Sequence, residues 1–333
     1  MRVVTVALAL AGCGHSVPHG QTADQPSAPH PATTRPSATH PATTRPSATH
    51  AAAARPSATP GTAKMLLGVF ELGAEASYQR VEAFSATVGR HPDIVVSFAA
   101  WGQPFNASFA GIAHAHGAEP LIQLEPVHAS LASIAAGRQD KFLRSYATAV
   151  RKSGYPVILS FAPEFNGPWY PWGWTRSSPA SWKAAWRHVV TLFRESGASK
   201  VTWLWTVNRR FAGSGPLADY WPGSDYVDWV GIDAYYIHHH DTFATVFDPT
   251  INDVRRITSK PVLISETAAG QVAGQARIIP GLFAGSIQRH LLGLVWFDMA
   301  QHRGIYHQDW RLEGHPAAIA AFHRGLASWK SRA

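Results

Sequence analysis

Two short apolar runs in this chain begin alike and end alike. Pro156-Val-Ile-Leu-Ser-Phe-Ala-Pro closes on Glu164, and Pro261-Val-Leu-Ile-Ser closes on Glu266. An apolar run that finishes in a carboxylate sets the acid at the end of a strand, held by the sheet and free to react. Either glutamate alone would as readily form an ion pair with a helix-borne arginine. Two in matching positions suit cleavage of a glycosidic bond. That reaction needs one carboxyl to protonate the leaving oxygen and another to attack or stabilise the oxocarbenium-like carbon. Glu164 is followed by Phe165-Asn-Gly-Pro-Trp-Tyr-Pro-Trp-Gly-Trp174. Proline stiffens such a loop, and its aromatic faces could stack on the apolar face of a sugar ring, although packing into a core is the other use for such rings.

The elements that must position these acids are eight runs of β-branched and aromatic residues: Leu66–Phe70, Ile94–Trp101, Pro120–Leu124, Val157–Ala162, Val201–Val207, Val227–Tyr235, Val262–Ser265 and Leu294–Asp298. They are near-continuously hydrophobic rather than alternating, as parallel strands covered by helices should be. Helical patterns lie between them. Over 138–153 the apolar residues Phe142, Leu143, Tyr146, Ala149 and Val150 share a face, and Gly154 stops the helix. Over 179–196 Ser178 can cap, Pro179 suits the first turn, and Trp182, Trp186, Val189, Val190 and Phe193 form one face before Gly197. Eight strand-then-helix units within residues 64–333 predict an α/β fold, a (β/α)8 TIM barrel, whose chemistry sits at the C-terminal ends of the strands. An open doubly wound sheet fits less well, since no Gly-x-Gly-x-x-Gly turn follows the first strand.

The stretch Glu164-Phe-Asn-Gly-Pro-Trp-Tyr-Pro-Trp-Gly173 resembles the acid/base motif of glycoside hydrolase family 26, a (β/α)8 family of clan A best known for endo-β-1,4-mannanases. Tyr220-Trp-Pro-Gly-Ser-Asp-Tyr-Val-Asp-Trp-Val-Gly-Ile-Asp-Ala-Tyr235 and Ile264-Ser-Glu266 fit the same family. The resemblance spans essentially all of residues 64–333. It implies that Glu164 is the general acid/base and Glu266 the nucleophile of a retaining endo-β-glycosidase. Trp169 then matches an aromatic of the subsite beside the scissile bond, Tyr235 the tyrosine that orients the nucleophile, and Trp296 the platform beneath the sugar being attacked. Asn166 and Trp174 complete the substrate-binding set on the acid/base loop. His128, just past the third strand, either faces substrate or shapes its loop. The implied substrate is a plant-type polysaccharide, foremost β-1,4-mannan. A mixed-linkage β-glucan or β-xylan is the alternative, and a non-catalytic carbohydrate-binding barrel a more distant one. The family usually has His before the acid/base; here Pro163 stands there and cannot donate a hydrogen bond.

Other residues carry weaker signals. Asp228, Asp233 and Asp298 lie at or near strand ends and could meet sugar hydroxyls, although the first two could equally stabilise the barrel. Arg209 and Arg210 read as a rim charge pair. His238-His-His240-Asp241 reads as a solvated loop, because consecutive residues seldom converge on one metal ion. No cofactor and no metal is expected, and the barrel is expected to act as a monomer.

Before residue 64 the composition changes. Arg2 and the apolar run Val3–Ala11 form a short signal sequence (residues 1–12) ending in Leu10-Ala11-Gly12-Cys13, which resembles a bacterial lipobox. Cys13 is the only cysteine, so no internal disulfide can form. Residues 13–63 hold a ten-residue repeat, His30-Pro-Ala-Thr-Thr-Arg-Pro-Ser-Ala-Thr39, again at 40–49 and degenerate at 50–59. Leu, Ile, Phe and Trp are absent from 11–65, so this stretch reads as a disordered, extended linker. The net charge is +8, of which residues 1–63 supply +3. With no Lys/Arg run of five, the high pI is diffuse and no nucleic-acid partner is expected. Membrane contact is expected through the lipid anchor alone, placing the enzyme outside the cytoplasm. Cys13→Ala should therefore move the protein from the membrane fraction to the soluble fraction; unchanged fractionation would reject the anchor.

Overall fold

The computed structural model describes residues 64–301 and 307–330; the signal sequence, Cys13 and the repeat linker lie outside the described residues. Eight strands form a closed parallel barrel in sequence order: β1 (Leu66–Phe70), β2 (Ile94–Ala100), β3 (Glu119–Glu125), β4 (Val157–Phe161), β5 (Val201–Asn208), β6 (Trp229–Asp233), β7 (Val262–Thr267) and β8 (Gly293–Phe297). β8 returns to β1, pairing from Leu66–Gly293 through Phe70–Phe297. Around them lie α1 (Gln79–Val88), α2 (Ala107–Ala115), α3 (Leu131–Ala135), α4 (Asp140–Ser153), α5 (Pro179–Glu195), α6 (Phe243–Val246), α7 (Asp248–Ile257), α8 (Gln275–Gln288) and α9 (Pro316–Lys330). This is the expected (β/α)8 TIM barrel.

The local reasons match the sequence. β4 is buried at every position, as a strand covered on both faces must be. α4 buries Leu143, Tyr146, Ala147 and Val150 and ends at Gly154, whose φ of 73° is left-handed. Ser178 caps α5 by accepting the Ser181 N–H at 3.2 Å, with Pro179 in the first turn.

One unit departs from the expected strand–helix alternation. Between β5 and β6 the described chain forms two 3-10 turns, Ala218–Tyr220 and Ser224–Tyr226, and no α-helix. Gly213, Gly215, Pro216, Pro222 and Gly223 explain this, since that density of helix breakers leaves no room for a stable turn-and-a-half. Helix α5 and the turn before it hold the link instead. Trp186 Nε1 donates to the Tyr226 carbonyl at 3.0 Å, Arg187 Nε to Pro222 at 2.7 Å, and the Tyr220 hydroxyl to the Ser177 carbonyl at 2.7 Å.

The barrel carries a buried polar layer beneath its catalytic end. Ser160 and Thr206 hydroxyls lie 2.7 Å apart, and Ser265 Oγ donates to Asp233 Oδ1 at 2.5 Å. Gly231 leaves space for this layer: a Cβ there would stand 2.5 Å from Ser265 Oγ and 2.9 Å from Thr206 Oγ1. Gly231→Ala should thus break one of these bonds or shift β6, costing about 1–3 kcal/mol; urea unfolding that shows no loss would refute the tight fit.

Candidate active site

The fourth strand does not deliver Glu164 by simply ending. After Phe161 the backbone enters left-handed conformations at Ala162 (φ 46°) and Glu164 (φ 53°), with Pro163 between them. Non-glycine residues adopt that region only when their surroundings compel it, at a cost of about 1–3 kcal/mol each. Here the surroundings do. Ala162 N–H donates to Leu124 O at 3.0 Å, and Glu164 N–H to Thr206 O at 3.0 Å. Trp172 Nε1 donates to the Pro163 carbonyl at 2.6 Å. Phe165 is fully buried, with ring centroids 4.6 Å from Tyr220, 4.8 Å from Trp182 and 5.3 Å from Trp205.

The seventh strand uses another device. Ile232 pairs with Ile264 but Asp233 with Glu266, so β7 carries one extra residue, and the same irregularity recurs against β8. Strict alternation would send Ser265 and Glu266 to opposite faces. With the bulge, Ser265 reaches Asp233 while Glu266 reaches Tyr235 and Gln123.

Each oxygen of both glutamates accepts a hydrogen bond. Asn208 Nδ2 donates to Glu164 Oε1 at 2.5 Å, and Trp169 Nε1 to Oε2 at 3.0 Å. Tyr235 Oη donates to Glu266 Oε2 at 2.7 Å, and Gln123 Nε2 to Oε1 at 3.3 Å. Both acids are 5% exposed. Burial raises the pKa of Glu164, against the pull of its Asn208 and Trp169 donors. Burial, then the charge of Glu164, push Glu266 well above the usual carboxylate range, against its Tyr235 and Gln123 donors. The two acids therefore titrate as a pair in which the first charge opposes the second. Two more acids share the space. Asp233 is raised well above its ordinary value by burial and by the Glu266 and Glu164 charges. Glu125, closing β3, is pushed up to about 7 by burial, with Tyr170 hydrogen-bonding to it.

The sequence candidates divide. Glu164, Glu266, Trp169 and Tyr235 come together. Trp169 lies over Gly167, where a Cβ would stand 2.2 Å from the indole, and stacks near Phe211 at 5.7 Å. Trp296 is part of the core. Its ring is fully buried and edge-on to Phe322 of α9, 5.7 Å away, with Nε1 donating to the Trp310 carbonyl at 3.1 Å. It packs towards the helix layer. The Asn166 amide grips the backbone of Asn208, donating to the carbonyl and accepting the N–H, each at 2.8 Å. Trp174 is half-buried with its ring against Gly215. His128 is exposed on the loop after β3.

Among the aspartates, Asp228 accepts the Trp203 N–H at 2.8 Å near the start of β5, a barrel contact. Asp298 accepts the Leu312 N–H at 2.8 Å and hydrogen-bonds with Glu71. Asp241 accepts the Ile237 and His238 N–H groups at 2.7 and 2.9 Å, closing the histidine loop as a turn. Arg210 pairs with Asp253 at 3.4 Å. Sequence reading did not single out Asn208, Gln123, Glu125 and Trp310. The last stacks on Tyr235 with centroids 4.4 Å apart and planes at 13°.

The model of the family described as "Glycosyl hydrolase family 26" matches residues 127–311. Endoglucanase H of Acetivibrio thermocellus is 29% identical over 278 residues, covering 78% of this chain and 30% of that protein. A mannan endo-1,4-beta-mannosidase of Bacillus subtilis is 25% identical over 205 residues, covering 56% of this chain and 50% of its own length. The chain thus spans between about a third and a half of these relatives. In fold it superposes on the catalytic domain of a family 26 endo-beta-1,4-mannanase from Bacillus sp. JAMB-750 with a TM-score of 0.61 at 15% identity, over 79% of this chain and 86% of that one. The closed barrel, the paired strand-end glutamates and the family match over more than half the chain lead to one conclusion: this chain belongs to glycosyl hydrolase family 26.

Proposed function

We propose that the barrel is a retaining endo-β-glycosidase in which Glu164 is the general acid/base and Glu266 the nucleophile. The observation that carries this reading is the pair of buried glutamates, one just past β4 and one on β7, each with both oxygens held by donors. In the first step Glu266 attacks the anomeric carbon, forming a C–O bond as the glycosidic bond breaks, and Glu164 passes its proton to the leaving oxygen. In the second, Glu164 takes a proton from water as that water displaces Glu266. Two inversions leave the β configuration unchanged. The pair's shared burden of charge favours the required state, one acid protonated and one ionised.

For substrate, two observations favour a β-glucan over the β-1,4-mannan expected from the family as a whole. Pro163 has no N–H or polar side chain, and its carbonyl already accepts from Trp172. Position 163 thus offers a sugar hydroxyl none of the hydrogen bonding that the family's usual histidine would. Endoglucanase H of Acetivibrio thermocellus matches over 78% of this chain, against 56% for the mannan endo-1,4-beta-mannosidase. Reducing-sugar release from lichenan and barley β-glucan should exceed that from galactomannan and xylan. Faster release from galactomannan would restore the mannanase reading, and no release from any would favour a binding barrel.

The two acids should behave differently when removed. Glu266→Ala should be inactive on every substrate, since no covalent intermediate can form. Glu164→Ala should lose about 10²–10⁴-fold on polysaccharide yet turn over aryl glycosides with good leaving groups, with azide accelerating it. NMR of the first product should show the β-anomer; the α-anomer appearing first would sink retention.

The pH profile offers a separate check. Glu164 must be protonated to act, so activity falls as pH rises through its pKa. The Asn208 amide stabilises the charged form, so Asn208→Ala should raise that pKa further and carry the basic limb of kcat/KM to higher pH. A limb that moves to lower pH would contradict the assignment of Glu164 as the acid.

A further inference from the structure

We infer that Gln123, in the middle of β3, is a positioning residue that grips and aims the carboxylate of Glu266 from across the barrel. This rests on the proposed role of Glu266 and extends it to a residue outside the recognisable motifs.

Gln123 is fully buried in a strand whose neighbours Leu121, Ile122 and Leu124 are apolar. A buried primary amide costs free energy unless its polar atoms are paired. Here only one is: Nε2 donates to Glu266 Oε1 at 3.3 Å, whereas Oε1 is buried without a partner. A glutamine retained for packing or for sheet structure would have no reason to leave its carbonyl oxygen orphaned. Among the described residues, the contact with Glu266 is the one polar interaction that accounts for an amide at this place.

That contact has work to do. The groups facing Glu266 are Glu164 after β4, Asp233 on β6, Glu125 on β3, and the phenols of Tyr235 and Tyr170. The acids among them oppose its ionisation, and Tyr235 and Gln123 are the groups that favour its charge. Two neutral donors therefore do what a cation might otherwise do. Because Tyr235 takes Oε2 and Gln123 takes Oε1, the carboxylate is also fixed in rotation about its last bond. A nucleophile held in that way keeps a lone pair directed at the anomeric carbon without spending binding energy to arrest it.

The test compares full-length wild type with Gln123→Met and Gln123→Leu, which keep an apolar side chain of similar bulk. The readouts are kcat/KM against pH on a chromogenic aryl β-glycoside, the separate kcat and KM values, and the thermal midpoint. Loss of the donor makes the carboxylate easier to protonate, so the acid limb should move to higher pH. kcat/KM on that limb should fall roughly tenfold, the scale of one hydrogen bond to a charged group. The loss should lie in kcat rather than KM, and the midpoint should hold or rise, since the orphaned carbonyl is gone. An acid limb that stays in place would overturn the inference. So would equal losses at every pH with a lowered midpoint, or failure of both variants to fold, each of which marks Gln123 as structural. Labelling of wild type with a 2-deoxy-2-fluoro glycoside, followed by peptide mass spectrometry, separates the two ideas. A label on a residue other than Glu266 defeats the proposed mechanism. A label on Glu266 with an unmoved limb defeats only the role of Gln123.

Discussion

Four carboxyls, Glu125, Glu164, Asp233 and Glu266, occupy one dry space at the catalytic end of the barrel, and the charges that act on them are mainly one another's. They cannot all be ionised, because burial and mutual repulsion each favour the neutral form. Much of the surrounding structure can be understood as the management of that crowd. Neutral donors replace cations: Ser265 for Asp233, Tyr170 for Glu125, Asn208 and Trp169 for Glu164, Tyr235 and Gln123 for Glu266. A lysine or arginine placed among them would favour the ionised form of its neighbours and so oppose the keeping of a proton on the acid. Uncharged donors lower the cost of one negative charge without fixing where the remaining protons sit.

The two halves of the pair reach the same depth by different backbone devices. On β7 an inserted residue turns Glu266 inward in the middle of regular pairing. After β4 the sheet has already ended, and left-handed residues on either side of Pro163 aim Glu164. Strain of that kind persists only where neighbouring bonds over-determine it. The aromatic residues of the loop serve largely this purpose. Trp172 holds the Pro163 carbonyl and stacks on Tyr170 at 4.3 Å, while Phe165 fills the space between α5 and β5. Of the loop's indoles, Trp169 alone donates to Glu164.

The barrel, and the placing of Glu164 and Glu266 at its strand ends, were legible because they are encoded locally. Continuous β-branched runs mark parallel strands, and their boundaries agree with the observed ones to within a few residues. What could not be read was side-chain direction and distant partnership. Trp296 and Phe297 are adjacent, and in a uniformly apolar strand nothing distinguishes the residue that faces the helices from the one that faces the barrel. The structure sets Trp296 against Phe322, and Phe297 against Phe70 and Tyr235. A one-residue difference reverses the face. The bulge in β7 was equally silent, since Ile264-Ser-Glu266 reads as ordinary alternation. Asn208 meets Glu164 through the pairing of neighbouring strands and Gln123 meets Glu266 across the closed barrel, at separations of 44 and 143 residues. Proline and glycine between β5 and β6 did carry a signal, and they should have weighed against a helix there.

The missing helix has a consequence for how the molecule comes apart. Where an outer helix would ordinarily seal β5 and β6, Tyr220 and its 3-10 turn lie against Phe165, the residue beside the acid, and against Trp182 of α5. The segment that presents Glu164 is thereby part of the seal. Active-site loops in many enzymes open and close as low-stability units, exchanging their amide hydrogens long before the core does. Here such an opening would uncover the side of the barrel. The amides around Glu164 should belong to the slowest-exchanging class of the protein, and heat should remove catalysis and tertiary structure in one event.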